Sequence, residues 1–212
     1  MRIDHTVVLL PGLGTSSAQT AAQKAALEDL APVLIPDISF SDTAPVILED
    51  PALRVLAAIS AVRSDQVVLI GHGWGSMVAL QIATAHGERV AALLLSTNAR
   101  LESILVRSIF YGILSILPAG VVQQLGGKPA DVAALLDQVR PVDFKPLAAQ
   151  VQAPALVMVG ERDGANRGPS AVLARSLPLG NLRVVPEAGP GWQVEQPQLI
   201  AQLLVEFLSN SP

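Results

Sequence analysis

The chain has 212 residues, half of them hydrophobic and only 3% aromatic, which suits one domain, residues 1–212, with a core of Val, Leu, Ile and Ala. Its net charge of -4, with Lys and Arg scattered, excludes a basic stripe for nucleic acid, and the absence of cysteine excludes disulfides and thiolate chemistry. The first twenty residues read as a strand and a Pro-Gly turn, not as a leader, so a cytoplasmic chain is expected.

His5 to Leu10 is a β-branched and leucine run that meets the turn Pro11-Gly12-Leu13-Gly14. Ser17 to Leu30 is rich in helix formers, with Ser16 or Ser17 to cap it. Val33 to Pro36 is a short strand, followed from Asp37 to Pro45 by a loop. Pro51 to Arg63 is a helix with Asp50 as cap and proline in its first turn. The central strand, Val67 to Ile70, runs into Gly71-His72-Gly73-Trp74-Gly75 and then a helix from Ser76 to His86. Val90 to Leu95 is the next strand, closed by Ser96. From about residue 100 to 140 the sequence is helical and apolar. Its uncharged part, Ile109 to Val122, is shorter than the roughly 20 residues of a membrane span, so a short helical cap is expected and no membrane span. Ala155 to Val159 and Leu182 to Val185 are the last strands, and Gln196 to Leu208 is the closing helix. Strands alternating with helices imply right-handed crossovers and a mostly parallel sheet of about six strands.

A strand-to-helix turn as tight as Gly71 to Gly75 admits little side chain, and its apex is Gly73. On its own it also fits a glycine-rich turn of another doubly wound fold. The stretch G-H-G-W-G-S resembles the elbow of the α/β-hydrolase family, written G-H-S-x-G-G in many esterases and G-H-D-W-G in the epoxide-hydrolase branch. The resemblance extends to Val151 through Asp163, similar to I-x-x-P-x-L-x-x-x-G-x-x-D, and to Ala188-Gly189-Pro190 followed by Glu195 and Pro197, similar to G-A-G-H-x-x-x-x-E-x-P.

What the resemblance implies is a three-layer α/β fold without the usual N-terminal hairpin, and a site with two of three triad members replaced. Gly73 stands at the nucleophile position and Pro190 at the histidine position, leaving Asp163 as the one catalytic side chain. Gly12, Leu13 and Trp74 fall where the oxyanion loop and the residue after the apex lie, and Trp74 and Trp192 are expected at the pocket. His5, His72 and His86 read as structural. Ser76 is expected to face backbone, and Ser96 to lie near the pocket with no imidazole placed to activate it.

The expected function is therefore a non-hydrolytic enzyme of cyclase, lyase or isomerase type acting on an apolar, carbonyl-containing small molecule. The alternative is an inactive homologue or scaffold that binds a ligand or partner. No cofactor and no metal are implied. The sheet edge left by the absent hairpin suits pairing with a second copy as a homodimer.

Overall fold

The computed structural model describes residues 2–12, 15–38, 49–62, 64–96 and 144–210. The expected cap at 100–140 and most of the loop after Asp37 lie outside these residues, as do Leu13 and Gly14. The described elements in chain order are β1 (Thr6–Leu10), α1 (Ser17–Glu28), β2 (Val33–Leu34), α2 (Glu49–Ser60), β3 (Val67–His72), α3 (Trp74–Ala85) and β4 (Val90–Ser96). After the cap region come α4 (Phe144–Ala148), β5 (Ala155–Gly160), α5 (Arg167–Ser176), β6 (Gly180–Val185), α6 (Trp192–Glu195) and α7 (Pro197–Asn210).

The strands form one parallel sheet in the order β2-β1-β3-β4-β5-β6. Both faces are covered, which is why β1, β3 and β5 read as unbroken apolar runs without alternation. Successive residues nevertheless serve different cores. Val8, Leu10, Val67, Leu69 and Val157 pack with α2 and α3 through Val55, Ile59 and Val78. Val7, Leu9, Val68, Ile70 and Met158 pack with α1 and α7 through Leu27, Ile200, Leu203 and Leu204. Helix α7 presents Ile200, Leu203, Leu204 and Phe207 at the spacing of one helical face, and the result is a three-layer sandwich.

Several boundaries differ from the sequence reading for local reasons. Ser16 caps α1 through a reciprocal pair with Gln19, the side chain of each accepting from the backbone N–H of the other. Helix α3 starts at Trp74, directly after the apex, two residues before the expected start. Helix α5 was not expected at all, because Arg167-Gly168-Pro169 reads as loop, although proline is acceptable in a first helical turn.

The chain lays β2 on one side of β1, then returns to lay β3 on the other side. That reversal makes a switch point above the carboxyl ends of β1 and β3, where parallel sheets leave a crevice. Gly12 and the carbonyl of His72 meet there, since a Cβ on Gly12 would lie 3.1 Å from that oxygen.

Candidate active site

Strand β3 delivers the chain to the switch point, and the backbone turns at Gly73 with φ 53° and ψ -112°. This combination is sparsely allowed for residues with a Cβ and costs glycine little. The turn is held from both sides. Gly73 donates its N–H to the Ser96 carbonyl at 2.7 Å and accepts from the Ser76 N–H at 3.0 Å. The flanking glycines are demanded by contact: a Cβ on Gly75 would sit 2.0 Å from the Leu10 carbonyl oxygen, and one on Gly71 would sit 2.6 Å from the Ser76 Cα. Strand β1, strand β3 and helix α3 therefore meet backbone to backbone, with no side chain at the apex.

Ser76 is fully buried, and its hydroxyl donates to the Gly71 carbonyl at 2.7 Å and lies 3.2 Å from the Ser96 carbonyl. It serves the backbone, as the sequence indicated. Ser96 does not lack an imidazole, which corrects the sequence reading. His72 and Ser96 are register partners on adjacent strands, and His72 Nδ1 is 3.1 Å from Ser96 Oγ. Burial lowers the His72 pKa from 6.5 to about 4, so the ring is neutral and a weak proton acceptor. Its Nε2 is buried without a hydrogen-bond partner among the described residues. The pair acts as a pin between β3 and β4, directly below the elbow.

The second half of the site is built by the loops after β5 and β6. A Cβ on Gly160 would lie 2.4 Å from the Ala188 carbonyl oxygen, so these loops also meet backbone to backbone. Glu161 N–H donates to the Val185 carbonyl and Arg162 N–H to the Ala188 carbonyl, both at 2.9 Å. Glu187 has a positive φ of 57°, unusual for a non-glycine residue, and its N–H is held by the Glu161 carboxylate at 2.9 Å. The structure thus brings the Asp163 segment and the Pro190 segment together.

Asp163 is buried, 7% exposed, and both of its oxygens face Asn166. Oδ2 accepts from Asn166 Nδ2 at 2.7 Å and Oδ1 from the Asn166 N–H at 3.3 Å. Asn166 is itself buried, and its Oδ1 has no hydrogen-bond partner among the described residues. This partner was missed from sequence, although an Asp-x-x-Asn spacing before a helix is a signal for side chain to backbone capping.

Pro190 is exposed in the turn before Gly191, which takes a left-handed conformation and leads into α6. The indoles are placed differently from expectation. Trp192 is 2% exposed and packs in the core with Val185, Ala188 and Ile200, anchoring α6 instead of lining a pocket. Trp74 packs in the opposite core, and its Nε1 donates to the Ile38 carbonyl at 3.2 Å. Gly12 abuts the elbow as described, and Leu13 lies outside the described residues. Among the described residues no group of three or more His, Asp or Glu side chains is placed to hold a metal ion. No helix among them is long and apolar enough to cross a membrane.

A parallel sheet with a positive-φ apex between strand and helix at its switch point defines the nucleophile-elbow class of α/β fold, here with glycine at the apex. The chain belongs to the alpha/beta hydrolase family, whose sequence profile matches residues 7–203. Solved structures of the same fold include a thermophilic esterase from Thermogutta terrifontis, with a TM-score of 0.78, 22% identity, and coverage of 99% of this chain and 91% of that one. The enol-lactonase from Burkholderia xenovorans LB400 is similar with a TM-score of 0.76, 21% identity and coverage of 97% and 92%. MenH from S. aureus is similar with a TM-score of 0.78, 17% identity and coverage of 99% and 95%.

Proposed function

We propose that this hydrolase-fold chain acts on an apolar carbonyl compound without a covalent acyl intermediate, as a cyclase, lyase or isomerase would. The observation that carries this reading is the apex at Gly73, where the elbow backbone is intact and no hydroxyl is available to attack. The positive end of helix α3, headed by Trp74, points electrostatic stabilisation toward the crevice, where it favours a carbonyl oxygen gaining negative charge. Asp163 is the buried carboxylate available to take a proton from carbon next to that carbonyl. The C–H electron pair then moves onto the carbonyl oxygen as an enolate, and return of the proton elsewhere completes an isomerisation. Since similar folds carry names of lactone and ester chemistry, lactones and enol-forming ketones are the compounds to try first.

The test is hydrogen exchange at carbon. In D2O, the chain is expected to place deuterium next to the carbonyl of a bound ketone or lactone, and Asp163→Asn is expected to abolish it. Exchange unaffected by Asp163→Asn, or fast cleavage of simple esters by the chain as it stands, would overturn the reading.

One observation favours a second reading, that of a binding protein. Both Asp163 oxygens are engaged by Asn166, the arrangement of a residue that holds a loop. On that reading ligands raise the melting temperature and turnover stays absent with every compound.

A further inference from the structure

We propose that Asn166 sets the substrate class of this site: its side-chain oxygen accepts a hydrogen bond from a neutral N–H or O–H that the substrate carries beside its carbonyl. With Asp163 as the base, the reading on which this rests, the amide next to it chooses among carbonyl compounds. Among the described residues, Gln23, His72, Arg89 and Asn166 each hold a buried side-chain atom without a hydrogen-bond partner. Asn166 is the one joined to the strand-end carboxylate.

The orientation of the Asn166 amide follows from that contact. A carboxylate only accepts, so the nitrogen must face Asp163, where it donates to Oδ2 at 2.7 Å, and Oδ1 is left on the other side of the amide. Asn166 stands at the N-cap of α5, where an asparagine ordinarily spends its oxygen on N–H groups of the first turn. Here it makes no such bond: the third residue of α5 is Pro169, which has no N–H, and the side chain is turned to Asp163 instead. Its main chain is spent as well, the N–H on Asp163 and the carbonyl on the Ser170 N–H at 2.8 Å. What remains is one oxygen, in a residue 5% exposed.

Two features make this oxygen a strong and selective acceptor. Donation from the amide nitrogen to a carboxylate draws charge onto the amide oxygen, so that successive bonds strengthen one another. A buried acceptor is also costly to leave unmet, so a ligand with a donor is favoured over an analogue without one. The donor is neutral, because an ammonium group would lose its water in a buried site for a bond to an uncharged oxygen. Amide geometry sets Oδ1 about 2.2 Å from Nδ2, and it therefore stands within about 5 Å of the Asp163 oxygen. A donor that reaches it while Asp163 takes a proton from carbon is carried on that carbon or the next, as in 2-acylamino and 2-hydroxy ketones and lactones.

The probes are 2-acetamidocyclohexanone and 2-acetoxycyclohexanone, in which an oxygen replaces the N–H. Calorimetric titration of the purified chain is expected to give a Kd about tenfold or more lower for the amide. In NMR spectra the N–H proton of the bound amide is expected to move downfield and to exchange slowly with water. Asn166→Leu removes the oxygen and is expected to bring the two Kd values together. Because that change also strips Asp163 of a donor, Asn166→Thr is made beside it: threonine keeps a hydroxyl near the carboxylate, lacks the amide oxygen, and is expected to lose the preference with the fold retained in thermal melts. Deuterium uptake at carbon tells the two levels apart. Uptake that depends on Asp163, with no preference for the amide, overturns this proposal and leaves the reading of Asp163 as base; a preference without uptake overturns that reading and leaves donor recognition by Asn166. Equal binding of the two probes, binding of neither, or a preference that both Asn166 variants retain would overturn the proposal.

Discussion

The elbow and the loops after β5 and β6 are assembled by the same device, yet their chemistry has fared differently. In each, glycines let backbone meet backbone: Gly75 against Leu10, Gly160 against Ala188. At the elbow the apex conformation persists without its side chain. At the other half an aspartate persists, but its carboxylate faces an asparagine and the position four residues before Val194 is an exposed proline. In both places the main-chain geometry is enforced by close packing of backbone on backbone, independent of the side chains it carries. The apex tolerates glycine, whereas a glycine crowded by a backbone carbonyl, as Gly75 and Gly160 are, leaves no room for a Cβ.

The sharpest way to break this comparison is to add one carbon at the crowded positions. Gly75→Ala is expected to destabilise the fold by about 3 kcal/mol or more, or to prevent folding, because the clashing atom is a backbone oxygen. Gly164→Ala, where a Cβ meets open space, should change stability by less than about 0.5 kcal/mol. Urea unfolding of the two variants gives the contrast directly.

The pin beneath the elbow makes a pH prediction of similar size. His72 is held near pKa 4 in the folded chain against 6.5 when unfolded, so above pH 6.5 both states are neutral and nothing changes. As pH falls below 6.5 the unfolded chain takes up a proton that the folded chain refuses, and stability drops by about 3 kcal/mol before levelling near pH 4. Urea midpoints measured across this window should show the loss, and His72→Gln should flatten it.

Gly73→Ser is expected to cost about 1–3 kcal/mol, since serine must accept the apex conformation, and thermal melts would register it. Combined with Pro190→His, it should bring p-nitrophenyl ester hydrolysis above that of the parent, a sign that the two halves still converge. Smallest is Asp163→Asn, with a loss of about 1–2 kcal/mol from weakened bonds to Asn166, measurable by urea unfolding.

Much of the fold was legible because each buried strand is an apolar run and each turn at the switch point is glycine. Gly73, Asp163 and Pro190 were singled out by the resemblance of three segments to the family's motifs, and the structure brings the last two of those segments together. What was hidden depends on contacts distant in sequence. His72 and Ser96 are 24 residues apart and meet only because their strands are neighbours in register. Trp192 stands two residues after the position where the family carries its histidine and was therefore expected at the pocket, but its indole packs into the core.

By itself, the sequence determined the alternation of strands and helices and the absence of a hydroxyl at the apex, since both are local: one follows from hydrophobic run length and turn residues, the other from a single side chain. Which strands lie side by side was decided by the tertiary structure. That pairing set the imidazole against a serine and left the six residues of β6 at the end of the sheet among the described residues, whereas the contact of Asp163 with Asn166, three residues on, is local.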